Sequence, residues 1–315
     1  MSRGGTLQVR QASQNCKNKN KNLKAFKDCF TSTGKVWGSL DAPPVLCIHG
    51  IQDNSNTFDN LIPLLPSSFC YVAVDLPGHG RSSHFPAGFT LALVDYCMSL
   101  SRIVNHFNWK NFIFMGHSLG GQLGFLYSAF FPEQVTKLVV FDSIMPFRLP
   151  QWDLAELIPK TYRELFKIES KMSKQPPPSY SEEEALRRLT DGRPSPLTRE
   201  AALVLFSRGT VRNGEGFAFS ADQRLKMSIP LLFSKEEVLT LCSKIRCPVI
   251  MLRASKTARA GSRYAYGDFD DLFKVSLGSK YQFKEVEGNH DVHLLHPERL
   301  ADDVCKFLVK TQSAL

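Results

Sequence analysis

Phe112-Ile-Phe-Met-Gly-His-Ser-Leu-Gly-Gly121 joins a short apolar run to a serine flanked by glycines, and a helical stretch, Leu119 to Val135, follows. A run this rich in aromatic and branched residues predicts a buried strand, and strand, Gly-x-Ser-x-Gly and helix in succession make a nucleophile elbow. At the apex of so sharp a turn the serine has strained backbone angles. The residues two before and two after it, Gly116 and Gly120, must then be small enough for strand and helix to approach. Ser118 is thereby held out of the sheet with its hydroxyl free to attack. A bare Gly-x-Ser-x-Gly match carries little weight, because both residues are common; the flanking strand and helix give it meaning.

Outward from the elbow the chain alternates. A strand or hairpin is predicted around Phe30 to Trp37, then a buried strand Pro44-Val-Leu-Cys-Ile-His-Gly50, a helix near Asn56 to Leu65, and a strand Tyr71-Val-Ala-Val-Asp75. Leu93, Val94, Cys97, Leu100, Val104 and Phe107 recur at helical spacing over Leu91 to Phe107, and Lys137 to Asp142 reads as another buried strand. Strands alternating with helices imply right-handed crossovers and a mostly parallel sheet. The alternation stops after Asp142, and residues 144–245 read as an inserted helical lid. Ser181 with Glu184 and Ser234 with Glu237 mark helix starts there, and Gln175-Pro-Pro-Pro178 marks a break. Trp152, Leu157, Phe166, Phe217, Phe219 and Leu232 supply either a core for the lid or a greasy pocket above Ser118. Strands resume at Pro248 to Leu252 and Tyr281 to Val286, and a closing helix begins near Pro297. The expected organisation is a tail over 1–28, an α/β core over 29–143 and 246–315, and the lid between.

A formal charge of +9 raises the question of nucleic acid, but residues 1–35 hold eight Lys or Arg against one acid, so the remaining 280 residues carry only +2. Without a basic face on the body, no nucleic-acid partner is expected. Asn15 to Lys24 is polar and of low complexity, which predicts a poorly ordered tail. No stretch approaches the roughly 20 apolar residues of a membrane span, and no apolar signal segment is seen, so a cytoplasmic protein is expected. The eight cysteines lack a disulfide framework spacing and are expected to be reduced. No Cys-x-x-Cys or His-Glu-x-x-His motif appears, so neither metal nor cofactor is expected.

A serine hydroxyl near neutral pH needs a base, and the base needs a group to orient it. His290, in Glu287-Gly-Asn-His290 after the last strand, is the best-placed base, with His293 and His296 as local rivals. A carboxylate commonly follows the strand after the lid, yet Arg253-Ala-Ser-Lys-Thr-Ala-Arg-Ala-Gly261 holds no acid. Asp142, at the end of the strand after the elbow helix, is the candidate, and Asp268, Asp270 and Asp271 remain as alternatives. Backbone N–H groups of Leu119 and Ile51 are the expected oxyanion donors. His49, Asp75 and His79 are expected to organise loops.

Over residues 30–310 the chain resembles the α/β-hydrolase fold superfamily. The marks are His49-Gly50, Asp75-Leu-Pro-Gly-His-Gly-Arg-Ser82, the elbow, and Gly-Asn-His290 followed by His-Pro-Glu298. Lys35-Val-Trp-Gly-Ser-Leu, Asp53-Asn-Ser-Asn-Thr-Phe-Asp, Leu61-Ile-Pro-Leu-Leu-Pro and Asp222-Gln-Arg-Leu are similar to the serine hydrolase-like proteins and their relative kraken, which also lack an obvious acid after the post-lid strand. The resemblance implies a serine hydrolase with no established substrate, in the cytoplasm or in peroxisomal or perinuclear vesicles; the expected reaction is cleavage of a small or medium, apolar acyl ester. A catalytically weak or inactive binding protein on the same fold is the alternative, motivated by the missing acid. Serine at 118 argues against epoxide hydrolases and haloalkane dehalogenases, whose nucleophile is aspartate. The terminal Ser-Ala-Leu resembles a peroxisomal Ser-Lys-Leu address without its basic residue.

Overall fold

The computed structural model describes residues 5–10, 31–88, 92–144, 153–227, 233–259 and 266–310. Eight strands form one sheet: β1 (Gly5–Arg10), β2 (Thr31–Trp37), β3 (Pro44–Ile48), β4 (Cys70–Val74), β5 (Phe112–His117), β6 (Val135–Phe141) and, beyond the β7–β8 hairpin (Thr210–Asn213, Gly216–Phe219), β9 (Val249–Ala254) and β10 (Tyr281–Val286). Their order is β1-β2-β4-β3-β5-β6-β9-β10, with β1, β2 and β4 paired antiparallel and the others parallel. The central strands are buried on both faces, so their period of two separates two cores instead of a wet and a dry side. On β3, Leu46 and Ile48 face one core and Val45 and Cys47 the other; on β5, Phe112 and Phe114 oppose Ile113 and Met115.

Helices α1 (Leu93–His106), α2 (Leu119–Phe130), α6 (Lys235–Lys244) and α8 (Tyr266–Leu277) lie over the first face, and α10 (Glu298–Val309) over the second; two short helices, α7 (Ser255–Arg259) and α9 (Val292–Leu295), respectively follow β9 and precede α10. Helix α1 buries Leu93, Cys97, Leu100 and Val104 as its spacing predicts, with Tyr96 and Ile103 completing the stripe in place of the exposed Val94. The helix expected near Asn56 to Leu65 is instead two 3₁₀ turns, Ser55–Phe58 and Ile62–Leu64; Asn54 caps the first, and Pro63 sits inside the second, lacking the N–H a longer helix needs. Among the described residues, no helix is long and apolar enough to cross a membrane.

Between β6 and β9 lie α3 (Leu154–Lys174), α4 (Glu182–Thr190), α5 (Arg199–Gly209), the hairpin, a 3₁₀ turn (Gln223–Met227) and α6. Helix α3 stops directly before the Pro-Pro-Pro run, and Ser181 and Ser234 cap α4 and α6 through the N–H groups of Glu184 and Glu237. Two expectations need correction. Helix α6 buries Val238 and Cys242, with Ile245 after it, in the same cluster as the sheet, so it is a core-layer helix and the insert ends before it, not at 245. Residues 5–10, read as part of a disordered tail, form a six-residue edge strand in full register with β2. The run Gly-Thr-Leu-Gln-Val-Arg has the β propensity, and β2 offers an open edge. The lysine-asparagine stretch itself lies outside the described residues.

Candidate active site

Ser118 sits between β5 and α2 with φ 51° and ψ −115°, a left-handed conformation that a serine adopts only under strain. The flanking glycines are sterically required: a Cβ on Gly116 would lie 2.3 Å from Gly120 O, and one on Gly120 2.0 Å from Ile48 O. Ser143 Oγ–H fixes the turn by donating to Ser118 O at 2.6 Å, and Ser118 N–H donates to Phe141 O at 3.1 Å. The Ser118 side chain is half-buried, and its hydroxyl makes no hydrogen bond in the described structure, with His290 or any other group.

Asp142 follows β6 directly and also has a positive φ, 44°. Its buried carboxylate accepts from Ala254 N–H (2.9 Å), Thr257 Oγ1–H (2.8 Å) and His290 Nδ1–H (2.5 Å). Donation from Nδ1 leaves His290 Nε2 without a proton, the tautomer a general base needs. Burial alone would lower the His290 pKa, but the hydrogen bond and charge of Asp142, with Asp291 and Asp53 behind it, raise it above its usual value. The stretch 253–261 that lacks an acid thus supplies two of Asp142's donors, one from the last residue of β9 and one from the segment after it. Of the alternative acids, Asp271 is exposed beside Lys274, and the side chains of Asp268 and Asp270 lie outside the described residues.

The rival histidines are placed elsewhere. His293 is wholly buried, 2.8 Å from Thr57 Oγ1 and packed against His117 and Phe141, and burial holds its pKa well below the usual value. His296 is half-buried beside Glu298. His49 Nδ1–H donates to Gly50 O and Nε2 accepts from Leu76 N–H, so both ring nitrogens are engaged in holding the loop. Asp75 accepts from Ser55 N–H, Arg81 N–H, Thr33 Oγ1–H and Arg208 Nε–H, a buried hub at the base of the same loop. Burial pushes the His79 pKa down to about 3. Among the described residues, no hydrogen bond engages the N–H of Ile51 or of Leu119. A Cβ on Gly50, next to Ile51, would lie 3.2 Å from Ser118 Cβ, so this loop abuts Ser118.

Sequence reasoning missed a buried group beside the elbow. Asp53, His117 and Asp291 bring donor atoms within 4.8 Å of one another. The cation there is Arg193, from the insert, whose Nη1 lies 2.6 Å from Asp53 Oδ1 and Nη2 2.9 Å from Asp291 Oδ1. Burial would raise the Asp53 pKa, but Arg193 holds it below the usual carboxylate range. His117 Nε2–H donates to His290 O, and burial, reinforced by His290, depresses the His117 pKa to about 4. Arg193 sits in Asp-Gly-Arg-Pro-Ser-Pro, a stretch whose composition signals only a turn.

The apolar lid residues divide. Phe217 and Phe219 pack against the insert's own cluster of Ala185, Leu186, Ala202 and Phe206, Phe166 is exposed, and Trp152 and Leu232 lie outside the described residues.

Residues 43–165 match the model of the alpha/beta hydrolase fold family. Serine hydrolase-like protein 2 of Homo sapiens is 35% identical over 284 residues, covering 87% of this chain and 89% of that protein. Serine hydrolase-like protein of Danio rerio is 33% identical over 279 residues, 87% of this chain and 84% of that protein. A crystal structure of a hypothetical protein from Pseudomonas aeruginosa PAO1 superposes with a TM-score of 0.77 at 24% identity, over 96% of this chain and 99% of that one. With the sheet order, the elbow and the identity to these relatives together, the chain belongs to the α/β-hydrolase fold family and, within it, to the serine hydrolase-like proteins.

Proposed function

We propose that the chain is a serine hydrolase that cleaves a small or medium, apolar acyl ester through an acyl-enzyme. Ser118 attacks the acyl carbonyl, His290 Nε2 takes the hydroxyl proton and returns it to the leaving alcohol, and Asp142 holds the imidazole in the required tautomer and stabilises the imidazolium. The oxyanion is received by the free N–H groups of Ile51 and Leu119; one such donor contributes about 3–4 kcal/mol to the transition state. Water then attacks the acyl-enzyme with His290 as base. The observation that carries this reading is the 2.5 Å bond from His290 Nδ1 to the buried Asp142 carboxylate, with His290 O bonded to His117, the residue before a serine held at φ 51°. Nothing in it requires a metal.

A second reading, a binding protein without turnover, is favoured by one observation: Ser118 Oγ is not hydrogen-bonded to His290. Bonds of this kind are often long in unliganded enzymes and tighten around substrate. A fluorophosphonate probe separates the readings, because only an activated serine reacts. Rapid labelling of the native chain, absent in Ser118→Ala, is expected. Failure of folded native protein to label would establish the binding-protein reading instead.

A further inference from the structure

Apart from the His290–Asp142 bond and the backbone bonds into the helical turn that follows, three hydrogen bonds among the described residues tie residues 289–291 to other elements. His117 Nε2–H donates to His290 O (2.9 Å), Asn289 Nδ2–H to Pro196 O (2.9 Å), and Arg193 Nη2–H to Asp291 Oδ1 (2.9 Å). Two of the three come from four residues of the insert, Arg193 to Pro196. The loop carrying Ile51 is tied to the insert as well: Asn54 Nδ2–H donates to Leu205 O (3.0 Å), Asn56 Nδ2–H to Val204 O (2.9 Å), and Arg193 Nη1–H to Asp53 Oδ1 (2.6 Å). One guanidinium therefore joins two loops that are far apart in sequence.

We propose that Arg193 is a positioning residue: its buried bridge between Asp53 and Asp291 holds the His290 loop and the Ile51 loop in the one relative placement in which base and oxyanion donor act on the same carbonyl. This rests on the serine-hydrolase reading. The planar fork of an arginine can satisfy two carboxylates at once, which a lysine ammonium, a single point charge, cannot do in the same geometry. The carboxylates are 1% and 0% exposed, so solvent and salt screen them little. Asp291 Oδ2 and His117 Nδ1 lack hydrogen-bond partners, and His117 Nδ1, 4.0 Å from Asp53 Oδ2, is beyond hydrogen-bond reach and does not bridge the two carboxylates as the guanidinium does. The two carboxylates would then repel, and the loops would part.

The test compares Arg193→Ala and Arg193→Lys with Arg199→Ala, a control on the insert surface whose guanidinium pairs with the exposed Glu183. Ester turnover, fluorophosphonate labelling and melting temperature are measured for each. Folded Arg193→Ala is expected to lose about 10²-fold in kcat, the scale of an ångström of misplacement, with KM changed by no more than a factor of a few. The titratable groups facing His290 are Asp142, Asp291, Asp53, His117 and His293, so loss of the cation leaves two carboxylates unopposed and moves the acid limb of the pH–rate profile upward. Millimolar guanidinium should restore part of the Arg193→Ala rate and none of the control's. Purely structural damage would follow the folded fraction and leave the pH limb in place, and that result overturns the proposal. If Arg193→Ala does not fold, Arg193→Lys decides: wild-type kcat in the folded lysine variant also overturns it. A native chain that fails to label refutes the serine-hydrolase reading and the proposal with it, whereas a native chain that labels beside a variant unchanged in rate and pH limb refutes only the proposal.

Discussion

Asp142→Asn tests the proposed orienting carboxylate with the least steric change. The Asn oxygen can still accept from Ala254 N–H, so the turn after β6 keeps one of its three side-chain bonds. The amide nitrogen now faces Thr257 Oγ1 and His290 Nδ1, and it can only donate. Thr257 can rotate its hydroxyl to accept, but His290 Nδ1 must give up its proton to do so. The proton moves to Nε2, where it blocks acceptance from Ser118. The expected cost in kcat is about 10³–10⁴, while loss of charge-assisted bonds costs the fold about 1–3 kcal/mol. The pH dependence has a definite sign. In the native chain Asp142 raises the His290 pKa, so activity falls as pH drops through a value above the ordinary 6.5. In the variant that raising influence is gone while burial remains, so the acid limb of the residual activity shifts to lower pH. The same pair contributes stability that is full below the unfolded imidazole value and lost as pH rises through the folded one. Ester turnover from pH 5 to 9, with melting temperature on the same samples, is the assay. Near-native turnover in folded Asp142→Asn, or an acid limb that moves upward, would refute the assignment.

Ser118→Gly should abolish labelling yet raise thermal stability, because glycine relieves the strain at φ 51°; stability unchanged or lowered would show that the elbow is not strained in this way. Gly120→Ala should prevent folding, since its Cβ would meet Ile48 O at 2.0 Å, and soluble, folded, active protein would contradict the packing described. Acid should destabilise the chain before carboxylates titrate: His79 and His117 stay neutral when folded, down to about 3 and about 4, while the unfolded chain takes up protons below about 6.5. Each then removes about 1.4 kcal/mol per pH unit as pH falls through that window, and equal urea midpoints at pH 7 and pH 5 would refute it. Deleting residues 1–10 should lower the melting temperature and promote association, because it uncovers the edge of β2; an unchanged, monomeric protein would show that β1 contributes nothing.

The parts legible in the sequence are those that short-range chemistry dictates. The elbow is spelled by ten consecutive residues, the helix starts by Ser181 and Ser234, and the α1 stripe by its spacing, with only Val94 misread. What was illegible depends on partners far along the chain. Asp53, His117, Arg193 and Asp291 are each unremarkable where they stand, and they become one buried group only when the insert folds back over the sheet. Composition alone places α6 in the insert because it does not say which helix lies on the sheet; Val238 and Cys242 at i and i+4 show it only once a sheet face is there to receive them.

The position of Asp142 follows from the strand order. β6 and β9 are parallel neighbours, with Phe141 opposite Leu252, so the residue after β6 and the residues ending β9 lie about 5 Å apart at the same edge of the sheet. A carboxylate from either strand can therefore reach the Nδ1 of a histidine on the loop after β10, which is the next strand over from β9. Placing it on β6 has a cost: the chain must turn at once toward the insert, and Asp142 is left at φ 44°. Aspartate tolerates that conformation better than most residues, and the conformation is held because Asp142 N–H donates to Leu252 O while its side chain accepts from Ala254 and Thr257. The absence of an acid after β9 is then a consequence of the arrangement. A second carboxylate there would face Asp142 across one strand spacing in a buried site, and the two could not both stay ionised next to one imidazole.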